Sequence, residues 1–206
     1  MSYNTGYVTL PVTSYSAWKN ATNGNGYNYD ASSGGGFGCQ CYDLVVEFWW
    51  NVGFPQGYPI ISSSSAYTMW NNREQNKAYN GVVYFDLIYN LNDVKQGDVL
   101  VYAGTNSNPY GHVGFADQDY DTWTPDPSEP YEFPILSQNN GGTPAAQGGA
   151  YTNVHGYDTR LFLGAFRYRN WHTTPPSPPS PSHVGGIPNR NKFPFFITAN
   201  RRRENW

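Results

Sequence analysis

The 206-residue sequence is poor in charged residues, in cysteine and in long apolar runs. Only 13% of its residues are charged, and it has just two cysteines, Cys39 and Cys41. Two cysteines cannot form a disulfide framework, and no run approaches the roughly 18 apolar residues that a membrane-spanning helix requires. The N-terminal residues lack the basic segment and apolar stretch of an export signal. We therefore expect neither a membrane span nor a signal peptide.

Aromatic and turn-forming residues take the place of charge. Aromatic residues make up 17% of the chain, with 18 tyrosines, and there are 22 glycines and 16 prolines. This composition favours a turn-rich fold that contains β-strands over a helical bundle. Tyrosines at a surface provide rigid contacts suited to sugars, peptides or partner proteins.

The net charge of −3 conceals an acidic body and a basic tail. Residues 1–159 carry 4 Lys and Arg against 14 Asp and Glu, a net charge of −10, whereas residues 160–206 carry 8 against 1, a net charge of +7. Binding to nucleic acid needs cations on the binding face. The acidic body therefore argues against nucleic acid as the main partner.

The spacing of apolar residues predicts the central elements. Polar, glycine-rich sequence over residues 20–38 predicts a loop. Apolar residues at helical spacing then predict a helix from about Gln40 to before Gly53. Short β-branched runs bounded by glycine over residues 97–104 and 111–118 predict an antiparallel hairpin. Helical turns are expected within 65–79, and further strands over 133–139 and 159–171.

The composition changes abruptly after Trp171. A Pro/Ser-rich run over residues 172–188 predicts a semi-rigid polyproline-like linker, and an aromatic, basic segment follows over residues 189–206. We therefore predict a folded domain over residues 1–171 and a C-terminal tail that docks onto a partner protein.

Cys41 has the position that a nucleophilic thiol requires. A thiol attacks as the thiolate, and the first turn of a helix favours that charge through the positive end of the helix dipole. A nearby imidazole would complete the activation. Of the four histidines, His112 is the best placed, because it opens a predicted strand with the small residues Gly114 and Ala116 on the same face.

Four sequence blocks, read in order, resemble the CHAP domain, the family of cysteine- and histidine-dependent amidohydrolases and peptidases. They are GCQCYDL, QGDVLVY, GHVGFAD and ILSQN. The resemblance implies an α+β, papain-like fold in which N-terminal helices pack on an antiparallel β-sheet, here with an extended Pro-rich tail. It also implies cleavage of amide bonds in bacterial peptidoglycan, as an N-acetylmuramoyl-L-alanine amidase or an endopeptidase.

The same resemblance implies roles for individual residues. Cys41 is the implied nucleophile, Gln40 the implied donor to the oxyanion and His112 the implied general base. The third position, commonly Glu or Asp in the family, is Ser137 here, and it stands as a neutral substitute. We therefore expect Asn139, two residues further on, to orient His112, as an asparagine amide does in papain-like sites.

Other interpretations of the cysteines and histidines stay open. Cys39 could join Cys41, His112 and His155 in a zinc site, although burial as a packing residue is the simpler role for Cys39. His155 lies in a predicted surface loop. No cofactor is required by the implied mechanism. Calcium could bind before the helix through Asn28, Asp30 and Asp43, but these offer few carboxylates.

The expected biological setting is a bacteriophage, because the chain resembles wall hydrolases and shows no export signal. The short tail, in place of a wall-binding module, favours a virion-associated lysin held by a phage structural protein. An endolysin released from the infected host cell for lysis is the alternative. A non-catalytic virion protein that binds wall glycopeptide is the alternative of another class, since Ser137 replaces the acidic residue.

Overall fold

The fold is described from a computed structural model, which covers residues 3–29, 38–62, 65–139 and 151–172. In the described ranges, most helices lie in the first part of the chain, and eight strands then follow before a last short helix. In chain order they are β1 (Tyr3–Thr5), α1 (Tyr15–Thr22), β2 (Gly26–Asn28), α2 (Cys41–Asn51), α3 (Thr68–Asn71), α4 (Arg73–Asn76), β3 (Ala78–Tyr79), β4 (Val82–Val83), β5 (Phe85–Ile88), β6 (Val99–Tyr102), β7 (His112–Ala116), β8 (Glu132–Ser137), β9 (Asn153–Asp158), β10 (Phe162–Tyr168) and α5 (Arg169–His172).

Six of these strands form one antiparallel sheet in the spatial order β5-β10-β6-β7-β8-β9. The predicted hairpin is present as β6 and β7, with Val101 opposite Val113 and Tyr102 opposite His112. Helices packed on an antiparallel sheet confirm the predicted α+β class. In the described ranges, no helix has the length and apolar character needed to cross a membrane.

Helix α2 begins at Cys41, as predicted, because its first turn is closed by the acidic residue three positions after Gln40. The Gln40 N–H donates to Asp43 Oδ2 at 2.7 Å, and the Asp43 N–H donates to the Gln40 carbonyl at 3.0 Å. A carboxylate at this end is also favoured by the helix dipole. The helix ends before Gly53, whose φ of +109° lies outside the helical region.

The apolar face of α2 packs on one side of the sheet. Phe48 contacts Phe115 edge to face, with ring centroids 5.1 Å apart, and Trp49 stacks on Phe85 at 4.2 Å. All four rings are fully buried. Each buried aromatic side chain contributes roughly 1.5–3 kcal/mol, so this packing fixes where the start of α2 lies over the strands.

A second apolar cluster covers the opposite side of the sheet. Its buried members alternate along the strands with those that face α2: Leu100, Tyr102, Ala116, Phe133, Ile135 and Ala165. Because both faces are covered, the central strands are buried on both sides and hold their register rigidly.

The predicted loop over residues 20–38 is wrong at its N-terminal half. Residues 20–22 complete α1, which Ser14 caps by accepting a hydrogen bond from the Ala17 N–H at 3.1 Å. Residues 26–28 form β2, which pairs in parallel with β1. A polar segment of three residues becomes a strand here because β1 supplies the hydrogen bonds that its own sequence does not indicate.

The predicted surface loop around His155 is also wrong. Residues 153–158 form β9, paired with β8 along six residues from Ser137–Asn153 to Glu132–Asp158. Gly156 interrupts the apolar alternation that would have indicated a strand. The pairing with β8 decides the structure instead, and it brings the inward-facing side chains of β9 beside those of β7 and β8.

Residues 173–206 of the predicted linker and tail, together with Asp30, lie outside the described residues, whereas His172, the first residue of the predicted linker, ends α5. The domain boundaries at residues 171 and 188 therefore stay predictions.

We predict that Gly111→Ala destabilises the protein by about 2–4 kcal/mol. Gly111 has a φ of +72°, and a Cβ there would lie 2.5 Å from the Tyr102 carbonyl oxygen. Urea denaturation measures the loss. Gly24→Ala is the matched control, since Gly24 has a φ of +79° but open space around its Cβ position. It should cost only about 1–2 kcal/mol. Equal losses in both variants would show that the close approach has no energetic effect.

Candidate active site

The start of α2 meets the start of β7. Cys41 is 8% exposed and His112 is 4% exposed. The backbone N–H of Val113 lies close enough to the Cys41 sulfur to act as its hydrogen-bond donor. The fold therefore brings the predicted nucleophile to the residue next to the predicted base, although the two lie far apart in sequence.

Ser137 is the hydrogen-bond partner of the imidazole. Its Oγ lies 2.8 Å from His112 Nε2, and both side chains are buried. The pairing of β7 with β8 leads to this contact, and Gly114 leaves the room for it, since a Cβ there would lie 2.8 Å from the Ser137 Cβ. The residue that replaces the family's acidic group thus takes the orienting contact that we expected of Asn139.

Asn139 holds Gln40 instead. Its Nδ2 donates to Gln40 Oε1 at 2.8 Å, from a backbone with a φ of +61°. The positive φ turns the chain sharply after β8 and aims the amide at the start of α2. Because the oxygen of the Gln40 amide accepts from Asn139, its NH₂ group lies on the other branch, which is the donor that an oxyanion requires.

Gln138 is a site residue that the sequence analysis missed. Its side chain is fully buried, and Nε2 donates to the Tyr27 carbonyl at 2.8 Å and to the Gln40 carbonyl at 2.6 Å. Its Oε1 accepts from the Tyr27 N–H at 3.2 Å. One amide therefore ties the end of β8 to β2 and to the residue before Cys41. No local pattern indicates this, since Tyr27 and Gln40 lie far from Gln138 in the sequence.

Two more residues join the site from β9. The Tyr157 ring stacks on the His112 ring, with centroids 4.5 Å apart and an interplanar angle of 10°. His155 meets His112 edge to face at 5.8 Å. Side chains alternate between the two faces of a strand, so Asn153, His155 and Tyr157 of β9 lie on one face. The sequence alone did not indicate that strand.

Burial governs the ionisation of the site. It raises the pKa of the Cys41 thiol to about 11, against the opposing effect of the Val113 and Tyr42 N–H groups, while the nearby Asp43 raises it further. The sequence analysis expected the helix start to favour the thiolate, but loss of water outweighs that effect. Without a base to accept its proton, the Cys41 thiol would therefore stay protonated at neutral pH.

Cys39 is buried in a different environment. It is fully inaccessible and makes no disulfide, and its sulfur lies 2.9 Å from where a Cβ on Gly26 would stand. Burial raises the pKa of its thiol to about 12. These surroundings suit a packing residue, and the close fit depends on the absence of a side chain at Gly26.

The zinc and calcium sites considered in the sequence both include residues at the start of α2. Asn28 lies in β2, Asp43 accepts from the Gln40 N–H, and Asp30 is not among the described residues. Across residues 3–29, 38–62, 65–139 and 151–172, no three His, Cys, Asp or Glu side chains are grouped so that they could hold a metal ion.

We predict that His155 makes the protein less stable in acid. Burial lowers the pKa of His155 to about 4, so the unfolded chain takes up this proton first as the pH falls below about 6.5. The free energy of unfolding should therefore drop by about 2–3 kcal/mol between pH 7 and pH 4 through this residue.

Urea denaturation of wild type and His155→Phe at both pH values isolates the effect. Glu47, whose pKa burial raises to about 7, titrates in an overlapping range but is common to both proteins. An unchanged difference between wild type and variant at pH 7 and pH 4 would contradict the prediction.

The sequence of this chain is similar to that of a known phage enzyme. Residues 29–124 match the CHAP domain family. Over 161 residues the chain is 28% identical to the D-alanyl-L-alanine endopeptidase of Streptococcus phage B30. The aligned residues make up 78% of this chain and 31% of that protein. The chain thus spans less than a third of that relative's length.

Solved structures agree on the fold. The wild-type endolysin LysIME-EF1 superposes with a TM-score of 0.51 at 20% identity, covering 75% of this chain and 62% of that one. Ly7917 with the hydrolyzing product of MDP superposes more weakly, with a TM-score of 0.38 at 17% identity, covering 63% of this chain and 53% of that one. The family match includes the helix and the hairpin that carry three of the four sequence blocks, and residues 29–124 are therefore similar to a CHAP domain.

Proposed function

We propose that this chain is a peptidoglycan hydrolase that cleaves an amide bond of the bacterial cell wall through Cys41. The observation that carries the proposal is the contact of the Cys41 sulfur with the backbone N–H of Val113, the neighbour of His112, whose imidazole is hydrogen-bonded to Ser137. The relative from Streptococcus phage B30 bears the name of an endopeptidase. That name favours a peptide bond over the bond between sugar and stem peptide.

His112 serves as the general base in this mechanism. In the tautomer that this mechanism requires, His112 Nε2 carries the proton and donates to Ser137 Oγ, so Nδ1 is the ring nitrogen that takes the thiol proton. The Cys41 sulfur then attacks the amide carbon, and the C–S bond forms as the carbonyl electrons move to oxygen. The imidazolium returns its proton to the leaving nitrogen, which departs as an amine and leaves a thioester. Water, deprotonated by the same imidazole, hydrolyses the thioester and restores the thiol.

Gln40 contributes to stabilising the tetrahedral oxyanion. Its NH₂ group and the Cys41 backbone N–H are the donors at the helix start, where the helix dipole adds to their effect. Asn139 keeps the Gln40 amide in this orientation by donating to its oxygen. The role of Asn139 is thus to position a donor rather than the base.

We predict that Cys41→Ala and His112→Ala abolish release of amines from Gram-positive cell walls. Gln40→Ala should retain activity that is about two to three orders of magnitude lower, since one oxyanion donor is lost. Cys39→Ala is the matched control and should cleave at close to the wild-type rate. Mass spectrometry of the fragments identifies the bond that is cleaved. New termini at the cross-bridge would indicate an endopeptidase, and new N-terminal alanines on the stem peptides would indicate an amidase.

Activity in Cys41→Ala equal to wild type would overturn the assignment of the nucleophile. Binding to walls without cleavage by the wild type would favour the other class, a non-catalytic virion protein that holds wall glycopeptide.

We further propose that the enzyme acts from the phage particle, docked on a structural protein through residues 172–206. The net charge of +4 over residues 172–206, against −7 over residues 1–171, supports attachment through the tail. Purified particles should contain the full chain and lose it when residues 172–206 are deleted, as immunoblotting would show. Its presence in the lysate but not in particles would instead identify an endolysin.

A further inference from the structure

We infer that Tyr157 positions His112 and stabilises its imidazolium, by presenting an aromatic face to the positive charge that arises when Cys41 gives up its proton. This inference rests on the proposed function, in which Cys41 is the nucleophile and His112 the base. It assigns to a residue of β9 part of the work that an acidic residue does in relatives.

The two rings are held face to face by the sheet. Their centroids lie 4.5 Å apart at an angle of 10°, close to parallel. The pairing of β8 with β9 sets Phe133 opposite Tyr157, on the face of the sheet that also carries Ser137. A planar cation lying flat on an aromatic ring meets its negative face and is attracted to it.

Contacts with other residues hold the Tyr157 ring in place. The Tyr102 ring packs against it at 4.5 Å, and the Asn108 side chain hydrogen-bonds its hydroxyl. Burial raises the pKa of Tyr157 to about 12, with Cys41 among the groups close enough to contribute. The ring therefore stays neutral and stationary beside both partners in the proton transfer.

The neutral side chain at residue 137 explains why such a contact matters here. A carboxylate in that place would favour the imidazolium by its charge, whereas the Ser137 hydroxyl accepts a hydrogen bond without bringing a charge. The face of Tyr157 adds an electrostatic attraction that the hydroxyl lacks. It acts only on the charged form of the ring, which is the form that the reaction creates.

The titratable groups around the imidazole come from three elements. They are Cys41 from α2, Tyr102 from β6, and His155 and Tyr157 from β9. Burial lowers the pKa of His155 to about 4 and raises that of Tyr102 above its usual range, so both are neutral near pH 7. Glu132 and Asp158 act on the Tyr157 hydroxyl. The proton that leaves the Cys41 sulfur thus creates one thiolate and one imidazolium, with the aromatic face against the latter.

Alkylation of Cys41 by iodoacetamide between pH 5 and pH 10, followed by mass spectrometry, tests the inference without wall substrate. In wild type, the thiolate–imidazolium pair should give a plateau of reactivity near neutral pH. Tyr157→Leu should lower that plateau about 3- to 10-fold, with the difference closing towards pH 10, where hydroxide removes the thiol proton directly. Tyr157→Phe, which keeps the ring, should restore the wild-type plateau. Tyr89→Leu is the matched control at the far edge of the sheet, on a tyrosine that is 62% exposed.

Fluorinated phenylalanines at position 157 keep the test independent of packing. They match phenylalanine in shape but have a weaker negative face, so the plateau should fall step by step with fluorination. An unchanged plateau in Tyr157→Leu, or equal losses in Tyr157→Leu and Tyr157→Phe, would overturn the inference. A wild type with no neutral plateau would overturn the proposed function as well. A plateau that is indifferent to residue 157 would overturn only the role of Tyr157.

Discussion

The packing of α2 on the sheet is the interaction on which the rest of the site depends. Phe48 and Trp49 bury their rings against Phe115 and Phe85, and this contact fixes both the height and the rotation of the helix over the strands. With the helix fixed, its first residue can lie only at the start of β7. The proposed nucleophile, on the first turn, then lies against Val113, next to the proposed base on the first residue of β7, without a dedicated loop to join them.

Polar contacts refine what the apolar packing brings together. The fully buried Gln138 amide links the residue before Cys41 to the end of β8, where Ser137 holds His112. A buried amide with its hydrogen bonds made is costly to disturb, because any movement leaves a donor or acceptor unpaired. The same chain segment therefore sets the helix start, the partner of the base and, through Asn139, the orientation of Gln40. Residues 137–139 are neutral, and the site is organised by hydrogen bonds and ring contacts rather than by a carboxylate.

Burial of the Cys41 thiol disfavours the thiolate that the proposed reaction needs, and other contacts must offset this effect. It raises the pKa of Cys41 to about 11, so the reactive thiolate depends on how well the imidazolium is stabilised when it forms. In the proposed mechanism, the helix start, the Val113 N–H and the Tyr157 face all favour the separated charges. A dry site of this kind also strengthens each of these interactions, since little water competes with them.

Local sequence was sufficient for α2, for the β6–β7 hairpin, and for Cys41 and His112 as the residues to consider, whereas Gln40 was indicated by the family resemblance. Helical spacing, β-branched runs and bounding glycines act over a few residues and leave a clear pattern. The sequence did not indicate β2 or β9, and it assigned the orienting contact to Asn139 instead of Ser137. Only the tertiary structure decided these, because β2 and β9 take their hydrogen bonds from other strands. Ser137, Gln138 and Tyr157 likewise acquire their contacts across 25 residues or more of intervening chain. Sequence alone determined which groups could react, and long-range pairing determined which of them meet and in what state of ionisation.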